Sequence, residues 1–275
     1  MRRGLPGAQH LHTGLTQIMP GGPDPVDWQG QALDCATCRF SDLLADRQCG
    51  PGWACAFDRY APRIARFFML NPDMADTCLD DPYSETRANA ARVANVFRLR
   101  PLLDDPDPGV RSVAVTRLPA GQSRAALNDP DREVRVALAW RMPLTDLLPL
   151  LHDEDFYVRQ VAARRADPGV LPILMGDPDP TVRKTVAERV ATKWLGKMLF
   201  DPEPRVRCAV ARRIGEDFLS TLARDEDIRV RHTVAERAHA ELARQMCDDP
   251  EAPVREAAAE RLETLNAEKV PHVDG

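Results

Sequence analysis

Apolar residues recur along most of this chain five, nine and thirteen residues after a repeating aspartate, as in Val182, Val186 and Val190, or Val206, Val210 and Ile214. Steps of four put them on one helical face. The aspartates Asp81, Asp105, Asp129, Asp153, Asp177, Asp201, Asp225 and Asp249 stand 24 residues apart, and so do Arg87, Arg111, Arg135, Arg159, Arg183, Arg207, Arg231 and Arg255. Eight units without an insertion or deletion make the period itself a structural dimension.

Within a unit the aspartate is followed by Pro in six of eight cases, and the next residue is acidic in seven. Asp as N-cap, Pro at the first helical position and an acid in the first turn predict a helix start. Ten residues after the aspartate every side chain is small (Ala91, Val115, Ala139, Ala163, Ala187, Ala211, Ala235, Ala259), which predicts close approach of neighbouring backbones. The remainder of each unit, such as Pro143 to Leu151 or Asp167 to Met175, carries Leu but also Pro149, Pro168, Gly169 and Pro172. A second full α-helix does not fit there, and a short helical turn of 3₁₀ type does. There is no L-x-L-x-x-N run and no β-branched strand, so an ordinary leucine-rich repeat is excluded, and the period excludes ankyrin, TPR and HEAT arrays.

The units, D-P-D-P-x-V-R-x-x-V-A-x-R followed by a short Leu-containing return, resemble the leucine-rich repeat variant family. The resemblance covers Asp58 to Asn266. It implies an all-α fold: a right-handed superhelical solenoid of 24-residue repeats alternating α-helix and short 3₁₀ helix. A ninth, degenerate unit is expected to begin near Asp58, where Arg63 keeps the register although position 57 is Phe. The expected domains are a flexible segment over 1–30, a Cys-rich domain over 31–57 and the array over 58–275.

Cys35, Cys38, Cys49 and Cys55 form C-x2-C-x10-C-x5-C in a segment holding Gly50, Pro51, Gly52 and Trp53. Such density in a chain without a secretory h-region points to four thiolates on one metal centre rather than to disulfides. The spacing alone leaves zinc and iron–sulfur open. Some leucine-rich repeat variant proteins look like this ahead of the array, and that resemblance implies a [4Fe-4S] cluster ligated by Cys35, Cys38, Cys49 and Cys55. Cys78 and Cys247 occupy register positions filled elsewhere by Leu and read as core substitutes. Cys208 shares its position with Gln160, Lys184, His232 and Glu256 and is expected to be exposed and incidental. In a solenoid the first unit exposes an apolar end, so the cluster has a role as structural cap open to it, with redox sensing as the sharper reading.

Composition narrows the functional classes. With 37 basic and 42 acidic residues the net charge is −5, which argues against a generic polyanion binder but allows charge to be segregated onto one face. Two Arg columns provide such a face. The first, from Arg87 to Arg255, is expected to pair with acids four residues earlier, as in Asp107–Arg111, Asp131–Arg135 and Asp155–Arg159. The second, Arg117, Arg141, Arg165, Arg189, Arg213, Arg237 and Arg261, sits near helix C-termini and is the better candidate for a partner surface. No P-loop, G-x-G-x-x-G, G-x-S-x-G or zincin motif occurs, and no catalytic residue is assigned. The expected protein is a non-enzymatic cytoplasmic scaffold for another protein, with a structural or redox-sensing cluster and no membrane span. The alternative is a nucleic-acid-binding or processing iron–sulfur protein with the Arg columns as a phosphate track.

Overall fold

A computed structural model describes residues 22–267. The described residues divide into two compact units, one up to residue 126 and one from residue 127. Among the described residues there is no strand; Val26 with Ala32 and Gly50 with Ala54 form isolated antiparallel bridges. In the first unit a short helix α1 (Ser41–Ala45) lies within the Cys-rich segment. It is followed by α2 (Ala61–Leu70), a 3₁₀ stretch (Pro72–Cys78), α3 (Ser84–Ala91), two further 3₁₀ turns and α4 (Pro108–Arg117). In the second unit helices such as Arg132–Arg141, Phe156–Arg165 and Pro180–Arg189 alternate with 3₁₀ turns such as Leu148–His152 and Leu171–Leu174. Two returns mix a 3₁₀ turn with a four-residue α turn, Ala120–Ser123 and Leu219–Leu222, and the final return, Ala240–Met246, is α-helical over seven residues. Its sequence AELARQM is rich in strong helix formers and holds no Pro or Gly, which favours the longer helix.

The helices begin two residues later than the sequence places them. The N-cap is the acid two residues after the repeating aspartate: Asp107, Asp131, Asp155, Asp179 and Asp227 each accept the backbone N–H two residues on, at 2.7–2.8 Å. Pro108, Pro180 and Pro204 hold the first helical position, where a missing N–H is harmless. The first aspartate is left in extended backbone and has other work. Asp177, for example, accepts the N–H of Asp179 at 2.9 Å and a two-pronged ion pair from Arg159 at 2.7 and 2.8 Å.

That pair corrects the expected pairing of the first Arg column. The partner is the aspartate 18 residues downstream, in the next repeat, rather than the acid four residues upstream. The rung recurs as Arg87–Asp105 in the first unit and as Arg135–Asp153, Arg159–Asp177, Arg183–Asp201, Arg207–Asp225 and Arg231–Asp249 in the second. Each of these arginines also donates from Nη1 to the carbonyl of its own repeat's first aspartate, as Arg159 does to Asp153 at 2.8 Å. One guanidinium thereby ties a loop to its own helix and to the next repeat, using the planar fork that Lys lacks.

The second column ties helix ends together. Nη1 of Arg165, Arg189 and Arg213 donates to the carbonyls of Ala139, Ala163 and Ala187 at 2.5, 2.6 and 2.7 Å, and Arg237 does the same to Ala211. The acceptors belong to the small-residue column, so its residues are small both because helices meet there and because a guanidinium must reach the carbonyl. Ala187 is fully buried. Ala187→Leu is expected to lower stability by about 1–3 kcal/mol through overpacking. An unchanged urea midpoint would contradict that role.

Candidate functional site

The four clustered cysteines are positioned by three local turns, each readable in the residues between them. Asp34 shapes the first pair: its carboxylate accepts the N–H of Ala36 at 2.9 Å and of Thr37 at 3.3 Å, and the Thr37 hydroxyl at 2.6 Å, folding Cys35 and Cys38 to one side. The Thr37 hydroxyl, then the two amides, hold the Asp34 carboxyl below its ordinary range. Helix α1 carries the chain away from Cys38 and is capped by Asp46; Arg47, just beyond at φ 56°, is the left-handed stop that turns the chain back toward Cys49. Gly50-Pro51-Gly52-Trp53 then makes a tight turn in which Ala54 N–H donates to Gly50 C=O at 3.2 Å. Pro presets the first central position, and Gly52, at φ 80°, supplies the conformation that an L side chain resists.

Cys35, Cys38, Cys49 and Cys55 line one pocket whose other walls include Phe40, Leu44, Phe57 and Phe67. Phe40 is buried, stacks on Phe57 at 5.7 Å and tilts onto Phe67 of α2 at 5.1 Å. The donor set is four sulfurs in an apolar wall, which is the chemistry of a thiolate-ligated metal or iron–sulfur site. Among the described residues no three His, Cys, Asp or Glu side chains meet at the spacing of a single ion.

Burial pushes the Cys49 thiol up to about 11 and the Cys55 thiol up to about 12, with Cys38 and Cys35 adding to both. Burial raises the Cys35 thiol as well. An unfolded cysteine titrates near about 8.5, so in metal-free protein the unfolded chain releases these protons first. Stability is therefore present below that value and is lost as pH rises toward the folded values. Metal-bound thiolates have already given up their protons, and the loss should vanish. Denaturation midpoints of metal-stripped and loaded protein at about pH 7 and about pH 10 check this: only the stripped form should weaken.

The pocket is joined to the first helices by contacts that the sequence does not announce. Thr86, standing where later repeats have Val, donates its hydroxyl to the Ala56 carbonyl at 2.7 Å. Asn71 at the end of α2 donates to the Gln48 carbonyl at 3.1 Å. Arg39, next to Cys38, reaches Asp81 at 3.3 Å and the Cys78 sulfur at 3.2 Å. Cys78 is fully buried, as the register reading has it.

Of the segment 1–30 expected to be flexible, residues 1–21 lie outside the described residues, and Pro23, Val26 and Trp28 make contacts further along the chain. The Pro23 carbonyl accepts from Arg63 at 2.7 Å, Val26 C=O accepts from Arg59 N–H at 2.9 Å, and Trp28 stacks on Tyr83 at 6.1 Å. Cys208 is buried rather than exposed, because the neighbouring helix brings Thr233 against it.

The candidate partner column is occupied with backbone carbonyls as described. Arg117, Arg165, Arg189, Arg213, Arg237 and Arg261 are half-buried, and Arg141 is exposed. A separate open groove on the helices of the second unit is lined by Lys184, Arg205, Arg212, Arg229 and His232. Three of its cations already have acids: Lys184 pairs with Glu188, Arg205 with Glu203 and Arg229 with Asp227. The groove therefore carries little unmatched positive charge.

Stacked α and 3₁₀ turns on a fixed period, headed by four thiols in one pocket, define a helical-repeat protein with an N-terminal metal domain. A family model described as "LRV protein FeS4 cluster" matches residues 25–77. A solved structure titled "A leucine-rich repeat variant with a novel repetitive protein structural motif" is 42% identical, with a TM-score of 0.78 over 84% of this chain and 99% of that one. The chain belongs to the leucine-rich repeat variant family and is an iron–sulfur repeat protein. It is also 63% identical over 102 residues to an "uncharacterized 27.7 kDa protein in nifB 3'region" of Rhodobacter capsulatus, a match covering 37% of this chain and 42% of that relative's length. No helix among the described residues is long and apolar enough to cross a membrane.

Proposed function

We propose that the protein is a non-enzymatic cytoplasmic scaffold whose Cys35, Cys38, Cys49 and Cys55 hold a [4Fe-4S] cluster that caps the array and makes it responsive to the redox state of its surroundings. The observation that carries the reading is the shared pocket of four sulfurs, joined through Phe40, Thr86 and Asn71 to the first helices. Four thiols in an apolar wall are the soft donor set that an iron–sulfur group takes. When bound, such a group supplies one-electron chemistry and a covalent crosslink among otherwise separate loop segments. The chain's own residues supply the rest: the Gly50–Trp53 turn and the Asp34 turn set the ligand positions, and the aromatic wall limits access of water.

Another protein is the partner this surface favours. On the returns of the second unit Leu144, Leu148, Ile173 and Phe218 are each more than half exposed, apolar side chains that a phosphate backbone would not need. Optical and EPR spectra of anaerobically purified protein, with iron and acid-labile sulfide analysis, test the cofactor. Four iron and four sulfide per chain are the composition of the named cubane; a colourless protein with stoichiometric zinc would refute it. Binding to single- or double-stranded nucleic acid that weakens steeply with salt would refute the choice of partner.

A further inference from the structure

Within each unit the array repeats one clamp, a first aspartate held by the arginine 18 residues upstream: Asp105 by Arg87 in the first, and Asp153 by Arg135 and Asp177 by Arg159 in the second. Asp81 breaks the rule. Its register partner, Arg63, is turned aside, with Nη1 on Asp58 at 3.0 Å and Nη2 on the Pro23 carbonyl. The vacancy in the ladder is filled by Arg39, whose Nη2 lies 3.3 Å from Asp81 Oδ2. The Asp81 side chain is buried to 8% exposure, so the ion pair is not a loose surface contact on that side.

Arg39 directly follows Cys38, and its backbone is fixed by that ligand. The Phe40 N–H points at Cys38 Sγ at 3.4 Å, and the Ser41 N–H donates to the Cys38 carbonyl at 3.0 Å. The guanidinium is steered by the rings of Phe40 and Phe57, at 5.1 and 5.0 Å. Moving Cys38 therefore moves Arg39, and moving Arg39 strips a buried carboxylate of its clamp.

We infer that Arg39 is a positioning residue by which the metal-binding loop supplies the first rung of the repeat ladder, so that occupancy of the thiol pocket and order of the Asp81–Ala94 repeat are coupled. The inference rests on the iron–sulfur reading only for what fills the pocket. Reciprocity requires that Asp81, distant in sequence from every ligand, stabilise the bound group as much as the group stabilises the repeat.

The test uses full-length, anaerobically loaded protein, with metal loss to an iron chelator followed by visible absorbance. Arg39→Gln and Asp81→Asn should each speed that loss by at least about 5-fold, the lower end of ordinary site-to-site coupling, and the double variant should be no faster than the faster single one. The amide oxygen in Asp81→Asn can still accept the Tyr83 N–H, so the turn should persist. Asp177→Asn removes an equivalent rung in the second unit and should leave the rate within about twofold, which separates coupling from general weakening. Hydrogen exchange at residues 81–94 should rise on metal removal in the wild type, and in Arg39→Gln it should be high already and barely change. Iron-loaded variants that lose metal at the wild-type rate, or a double variant whose effect is the product of the singles, would overturn the coupling and leave the cofactor reading intact. Wild-type protein that holds neither iron nor zinc would remove the cofactor reading, and the coupling with it.

Discussion

Asp177→Ala is expected to destabilise the array by about 3–5 kcal/mol, because it leaves the Arg159 guanidinium partly buried without its anion. The Arg159 side chain is 11% exposed and that of Asp177 only 2%, so water cannot replace the lost carboxylate cheaply. The change also removes the acceptor for the Asp179 N–H. Asp177→Asn, which keeps an oxygen there, should cost less. Replacing both partners, with Arg159→Met beside Asp177→Ala, should cost less than the sum of the two single changes, since no charge is stranded. Chemical denaturation in urea measures all four proteins. Because repeats interact only with their neighbours, the Asp177→Ala transition should also broaden as the two sides lose cooperativity. A loss under about 0.5 kcal/mol, the range of a surface substitution, would show the ladder to be ornamental to stability.

Serine at any one of positions 35, 38, 49 or 55 is expected to abolish retention of iron, while Cys208→Ser and Cys247→Ser should keep full iron content. A hydroxyl is a far poorer ligand than a thiolate, and each of the four sulfurs lines the same pocket. Cys78→Ser is the informative control. Its oxygen can still accept from Arg39, so iron should be retained, although a buried hydroxyl in place of the thiol lowers stability by about 1–3 kcal/mol. Iron and sulfide content after anaerobic purification decides it, and cluster lost in Cys78→Ser but kept in Cys55→Ser would reassign the ligands. Where metal binding and folding are coupled, the four serine variants should also lose order in the Pro23–Phe57 segment.

The period, the helical face and the four thiols are legible in the sequence because each depends on residues close along the chain. The two-residue error in helix start has a specific source: D-P-D-P offers two Asp-Pro pairs, and only the fold shows that the first aspartate faces a distant arginine. The 18-residue rung is invisible to a helix-based reading, which looks for partners three or four residues away, because it depends on where the return brings the next loop. Thr86 could have been noticed as a break in a Val column, whereas Arg39 carries no pattern at all. Cys208 varies in register yet is buried, because a variable position need not face solvent when the adjacent helix covers it.

The double duty of the first Arg column sets the step in which the array's length can change. Excising residues 153–176 would hand Asp177 to Arg135 with every loop intact, whereas removing any smaller stretch would leave a donor facing the wrong residue. The chain behaves as a ruler with divisions of 24 residues. Lengthening or shortening by whole divisions is the change its geometry permits, and the thiol-bearing segment marks the zero end from which they are counted.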